Sequence, residues 1–234
     1  MKDAKVMNST KVFSLGGSLI VPDDIDTLYL KKFKEMILNY ISDGNRVVIV
    51  CGGGKICRRY NDAAKELTDP DDTELDKMGI AATKLNAELV RILLKEHAHE
   101  YVVKDPTKKI ETDKSIIVAS GYKPGNSSDK VAVMLAQLFN ATDVINMTNI
   151  DMVYDSDPKK NPGAKPRKEI NASDFLEIIG EKWEPGKNVP FDPVASRLAM
   201  ESGIDVVILN GKNLQNLSNY LDNKEFTGSI IKAE

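Results

Sequence analysis

Short apolar runs alternate with helically spaced apolar stripes along the first two thirds of the chain. Residues 11–15 form the first run and end on Gly16-Gly17, which predicts a strand closed by a turn. Leu30, Phe33, Ile37, Tyr40 and Ile41 follow at helical spacing, so residues 24–42 are predicted as an amphipathic helix stopped by Asp43-Gly44. Arg46–Cys51 is apolar without alternation, the pattern of a strand covered on both faces. A helix is predicted from Gly52-Gly53-Gly54 towards Leu67, then a polar break at 69–72. A long helix comes next, marked by Leu75, Met78, Ala82, Leu85, Leu89 and Ile92. Strands are predicted at 101–103, 115–119 and 143–147, with a Gly/Pro/Ser loop at 121–128 and a helix at 129–139. Past Asp151 the texture changes. Residues 155–168 are rich in Pro, Lys and Asp, helices are predicted at 173–179 and 193–202, and strands at 205–209 and 227–232. The alternation argues for a mainly parallel α/β sheet without internal repeats.

Composition narrows this picture more than it extends it. The 234 residues are 41% hydrophobic and 29% charged, a globular composition with enough chain for a substantial core. Lys plus Arg is 32 and Asp plus Glu is 35, a net charge of -3 that does not suit a nucleic-acid binder with its concentrated basic face. No apolar run approaches the ~20 residues of a membrane span, and residues 1–10 lack the apolar core of a secretory signal. Cytoplasm is therefore the expected location. Cys51 and Cys57 give neither zinc spacing nor a disulfide framework, and no metal ligands are assigned. His97 and His99 read as surface residues. The five basic residues within 159–168 form either a solvated loop or a segment that closes over nucleotide phosphates.

Three glycine-rich turns carry the chemistry: Gly16-Gly17-Ser18, Gly52-Gly53-Gly54 and the loop 121–128. Each follows a predicted strand. Glycine lets the backbone come close to a ligand, and a turn that opens a helix offers free N–H groups to an anion. In a parallel sheet such turns share the crevice at the C-terminal strand ends. Neither a Walker G-x-x-x-x-G-K-[ST] nor a G-x-G-x-x-G after the first strand is present, which excludes those two phosphate-binding designs. Arg58, one helical turn past Gly54, either reaches a phosphate or makes a surface ion pair. Asp129 and Asp192 each stand at a predicted helix start, as caps or as functional acids.

Taken in order, the motifs form a series. They are Ser14-Leu15-Gly16-Gly17-Ser18; Gly52-Gly53-Gly54-Lys55 with Arg58; Asp76-Lys77-Met78-Gly79; Gly121-Tyr122-Lys123-Pro124-Gly125-Asn126-Ser127-Ser128-Asp129; Thr148-Asn149-Ile150-Asp151-Met152-Val153-Tyr154 with Asp157-Pro158; and Asp192-Pro193. The series resembles the amino acid kinase superfamily and, within it, the archaeal type of UMP kinase, over nearly the whole chain. The resemblance implies one domain over 1–234, a three-layer αβα sandwich with an open, mainly parallel sheet of about eight strands. It implies transfer of the γ-phosphoryl group of ATP, brought with Mg²⁺, to UMP in pyrimidine nucleotide biosynthesis. The acceptor would sit on the N-terminal part, about 1–140, and ATP on the C-terminal part, about 141–234. It implies UMP contacts from Gly53, Asp76 (ribose) and the loop of Tyr122, Lys123, Pro124, Gly125, Asn126, Ser127 and Ser128. ATP contacts would come from Gly16, Gly17, Gly54, Arg58, Thr148, Asn149, Tyr154 and Asp157. Asp129, Asp192 and Arg58 would be catalytic, and the assembly a homohexamer, a trimer of dimers.

This chain departs from the pattern at three places, one of them the stretch Trp183-Glu184-Pro185-Gly186-Lys187-Asn188 before Pro190. Many relatives carry Lys where Ser14 stands, so the neutralising cation is sought among Lys55, Arg58 and Arg197. Met152 replaces a usual glycine in the ATP motif. Two other readings stay open: a kinase of the same superfamily acting on another small acid, and a non-catalytic relative that binds a nucleotide or oxyanion.

Overall fold

The computed structural model describes residues 8–156, 158, 161–180 and 189–234. Asp157 and the divergent stretch 183–188 lie outside the described residues.

Among the described residues the main sheet has seven strands: β1 (Thr10–Leu15), β2 (Arg46–Cys51), β3 (Ile116–Ala119), β4 (Asp143–Thr148), β7 (Glu169–Asn171), β8 (Asp205–Asn210) and β9 (Ser229–Lys232). Their order is β3-β2-β1-β4-β8-β9-β7. The first five are mutually parallel; β9 runs antiparallel to β8 and carries β7 parallel to itself. A separate two-stranded ribbon pairs β5 (Val153–Tyr154) with β6 (Pro166–Arg167). The expected eight-stranded sheet is thus seven strands and a ribbon.

Eight helices complete the described chain: α1 (Gly17–Ile20), α2 (Thr27–Ser42), α3 (Gly54–Leu67), α4 (Asp72–Leu93), α5 (Ser128–Leu138), α6 (Ala172–Ile179), α7 (Pro193–Glu201) and α8 (Leu214–Leu221). Strand alternation splits the core into two faces. Val12, Val48, Val144 and Val206 pack with Val131 and Leu135 of α5, Phe175 of α6 and Ala195 of α7. Phe13, Ile49, Ile145 and Val207 pack with Phe33 and Ile37 of α2, Val90 of α4 and Leu217 of α8. The result is the expected αβα sandwich.

Several boundaries follow from caps. Asp26 accepts a hydrogen bond from the Tyr29 N–H at 2.9 Å, so α2 begins at Thr27 and not at 24. Asp71 and Glu74 form a reciprocal capping box at the start of α4, which explains the polar break before it. Residues 101–103 are not a strand. Val103 makes an isolated bridge to Ala119, and Pro106 soon stops further pairing. The short helices α1 and α8, the edge strand β7 and the ribbon were not legible from apolar periodicity.

The apolar stripe of α4 is also corrected. Its buried face is Thr83, Asn86, Ala87 and Val90, whereas Leu85 and Ile92 are 61% and 56% exposed. The helix turns two polar side chains toward the sheet ends because backbone groups there need partners. At the opposite, N-terminal strand ends, buried Asp143 accepts both Lys11 Nζ contacts at 2.6 and 2.8 Å, as well as bonds from Thr142 Oγ1 and the Tyr220 hydroxyl. That cluster ties β1, β4 and α8 together. Among the described residues no helix is long and apolar enough to cross a membrane.

Candidate active site

The strand order places the topological switch between β1 and β4: from β1 the chain steps outward through β2 and β3, then returns to β4 and moves the other way to β8. Backbone bonds extend the ladder into the turns at this end. The Gly16 N–H donates to Met147 O at 3.0 Å, Gly52 N–H to Leu15 O at 2.9 Å, and Gly211 N–H to Thr148 O at 2.8 Å. The predicted glycine turns therefore meet at one edge.

Two of them touch directly. A Cβ on Gly17 would lie 2.0 Å from the Gly54 nitrogen, and Gly54 itself has φ +65°. No side chain fits between these turns.

Asp129 lies between the two halves of the sheet. Ser127 is the N-cap of α5, its hydroxyl accepting from the Lys130 N–H at 3.1 Å, so Asp129 is a first-turn residue and not the cap. Its carboxylate points inward. Ser14 Oγ donates to Oδ1 at 2.8 Å and the Asp192 N–H to Oδ2 at 3.2 Å. Burial, with the neighbouring Asp192 charge, pushes the Asp129 carboxyl up to about 6, against those two hydrogen bonds. Asp192 does cap α7, accepting from the Ala195 N–H at 2.7 Å. Burial raises its pKa as well, while hydrogen bonds from Ala195, Ser127 and Val194 and the Lys130 charge oppose the rise.

Two supports were not anticipated. Ser14, noted as the place of a missing lysine, is the hydrogen-bond donor to Asp129. Asn146, beside Ser14 in register on β4, donates to Pro190 O at 2.7 Å and so holds the segment leading to Asp192. The partners are 115 and 44 residues apart. No local sequence signal links them.

The remaining predicted residues divide. Asp76 on α4 accepts the Gly125 N–H at 2.7 Å, joining the 121–128 loop to the helix. In that loop Lys123 lies over the Tyr122 ring, 5.1 Å from its centroid, and Asn126 bonds the carbonyls of Lys123 and Pro124. Thr148 ends β4 beside Gly211, and Asn149 follows it. Tyr154 sits on the β5–β6 ribbon, and no hydrogen bond among the described residues joins it to the glycine turns. Of the three cations considered, Lys55 pairs with Asp23, which Arg59 also approaches at 3.8 Å. Arg58 is exposed on α3, and Arg197 lies on α7. Clefts of about 440 and 360 Å³ lie along α2 and α8, and none of the predicted site residues lines them.

A parallel sheet with glycine turns and a pair of acids, one buried and one half-buried, at its switch point has the build of an α/β phosphate-handling protein. The chain belongs to the amino acid kinase family, whose model matches residues 9–210. It is 36% identical over 224 residues to a uridylate kinase from Thermococcus kodakarensis, covering 94% of this chain and 98% of the relative. It is 34% identical over 223 residues to a uridylate kinase from Methanocorpusculum labreanum, covering 94% of both. Its fold matches the crystal structure of uridylate kinase from Archaeoglobus fulgidus with a TM-score of 0.81 at 30% identity, covering 95% of this chain and 99% of that one.

Proposed function

We propose that this chain transfers the γ-phosphoryl group of ATP to UMP, yielding UDP and ADP, as a cytoplasmic step of pyrimidine nucleotide biosynthesis. The observation that carries this reading is the meeting of the glycine turns around Asp129 at the switch point of an amino acid kinase fold. The UMP phosphate oxygen attacks the γ-phosphorus as the bond to the β,γ-bridging oxygen breaks. Because a phosphate monoester is largely dianionic at neutral pH, with a second pKa near 6, no strong base is needed. The protein's work is positioning and neutralisation of charge on the transferred oxygens, which the N–H groups of Gly17, Gly53 and Gly54 supply.

The N-terminal half holds UMP. Gly53 faces its phosphate, the loop of Tyr122 to Ser128 reads the uracil, and Asp76 accepts a ribose hydroxyl with the carboxylate that also anchors Gly125. The C-terminal half holds ATP through Thr148, Asn149, Tyr154 and Asp157, with Arg58 reaching the phosphates. Mg²⁺ comes on the nucleotide and needs one or two carboxylates rather than a protein cage. Among the described residues no group of three or more His, Cys, Asp or Glu is placed to hold a metal. Asp129 and Asp192 are the carboxylates at the switch point and suit a nucleotide-borne ion. Asp76 favours this acceptor over a small acid without a ribose.

The decisive experiment is steady-state kinetics with ATP and UMP, CMP, dUMP or carbamate as acceptors. UMP is expected to exceed CMP by at least about 10²-fold in kcat/KM, since CMP leaves donors and acceptors unpaired at one edge of the base. Equal turnover of UMP and CMP, or none of either, would overturn the reading.

The chain acts as a homohexamer built as a trimer of dimers. Apolar surface supports this: α3 buries no residue in the chain, yet Tyr60 and Leu67 are 59% and 84% exposed on it, and Leu85 and Ile92 of α4 are exposed as well. Sedimentation is expected to give six chains, and the double substitution Leu85→Lys with Ile92→Lys a smaller species. A monomeric wild-type protein would refute the assembly.

A further inference from the structure

Asn86 is a polar side chain only 3% exposed, in the middle of α4. Its amide nitrogen donates to two consecutive carbonyls, Gly52 O at 2.8 Å and Gly53 O at 3.2 Å. A peptide plane held by its carbonyl also fixes the N–H at its other end. The plane of Gly52 carries the Gly53 N–H, and that of Gly53 carries the Gly54 N–H. Among the described residues, neither N–H has a backbone or side-chain acceptor. Gly53 O also accepts the Cys57 N–H at 3.4 Å, so Asn86 holds the Gly52 plane by itself and the Gly53 plane together with the first turn of α3. The glycines cannot fix these planes themselves, because their backbone is the most permissive in the chain.

We propose that Asn86 is a positioning residue that aims the Gly53 and Gly54 N–H groups at the phosphate of the acceptor. The inference rests on the reading that this turn receives the UMP phosphate. Thr83 does a parallel task one turn earlier on α4, its Oγ1 accepting the Gly121 N–H at 2.9 Å.

The test separates positioning from mere packing by comparing ligands with and without a phosphate. Kd for UMP, and Ki for uridine as a competitor, are measured by calorimetry and kinetics for the wild type, Asn86→Ala and Asn86→Ser. With Asn86→Ala the Kd for UMP is expected to rise about tenfold, the scale of one lost hydrogen bond to a charged group. The uridine Ki and the KM for ATP are expected to stay within about twofold. Asn86→Ser keeps one short donor and a smaller cavity, so it should fall between the two and serves where the Ala variant does not fold. An equal loss for UMP and uridine, or no loss for UMP, in whichever variant folds would overturn the proposal. So would misfolding of both variants, since the side chain would then serve the fold. A wild-type protein that neither binds nor phosphorylates UMP fails earlier and at a different point, taking the acceptor assignment with it.

Discussion

Replacing Asp129 with Asn is expected to lower kcat by about 10²-fold, the scale of losing one preorganised electrostatic contact, while the protein stays folded. The carboxylate holds Ser14 of β1 and the backbone of Asp192, the two sides of the switch point. Asn preserves that geometry: its oxygen accepts the Asp192 N–H and its amide donates to Ser14 Oγ, which has free lone pairs. What disappears is the charge. The stability change carries the opposite sign to the activity change. Because the folded pKa, about 6, lies above the ordinary 3.8, the native state binds more protons than the unfolded state between these values. Stability attributable to this group therefore falls as pH rises through that window. The wild-type enzyme carries this cost, about 3 kcal/mol, at pH 7, and the Asn variant does not. The variant is thus expected to melt at the same temperature as the wild type or higher at pH 7, with the difference vanishing below about pH 4. Thermal unfolding against pH beside kcat checks both halves. A variant with near-normal kcat would reduce Asp129 to a strut between β1 and α7.

Gly17→Ala is expected to be more damaging than any polar substitution on the same turn. The added Cβ would meet the Gly54 nitrogen at 2.0 Å and the Gly52 carbonyl oxygen at 2.6 Å, both backbone atoms that no rotamer change can move aside. The two turns must separate by the order of 1 Å, and a displacement of that size in a positioning site costs roughly 10²-fold in rate. The expected result is a fall in kcat/KM of at least about 10²-fold for ATP and for UMP alike. Overpacking of this kind also costs about 1–3 kcal/mol, read as a lower melting temperature. Gly203→Ala is the matched control, outside the proposed site, since no atom lies within 4 Å of a Cβ there although its φ of +64° adds local strain. Comparable activity of Gly17→Ala and wild type would show that the turns can part without affecting the reaction.

Apolar spacing carried most of the sheet. β2 was predicted at its observed bounds and β1, β4 and β8 within a residue of theirs, because a strand buried on both faces is a continuous apolar run wherever it ends up. The same spacing misjudged α4: Leu85 and Ile92 satisfy the helical period but face outward, while Thr83 and Asn86 face in. Periodicity reports that a helix has an apolar stripe, not which neighbour covers it. Residues 101–103 failed for a related reason, since a β-rich triplet before Lys104-Asp105-Pro106 has no room to extend its pairing.

What the sequence by itself determined is the set of parts: the parallel α/β alternation, glycine turns after strands, and Asp76, Asp129 and Asp192 standing at or near helix starts. These are local properties, set by side-chain period and by the backbone freedom of glycine. Tertiary structure decided the relations among them. It brought Gly17 against Gly54, joined Asp129 to Ser14 across 115 residues, and placed Asn86 under the Gly52-Gly53 carbonyls. The physical reason is that a hydrogen bond between distant segments depends on strand order and register, which are settled by packing both faces of the sheet at once and leave no periodic trace along the chain.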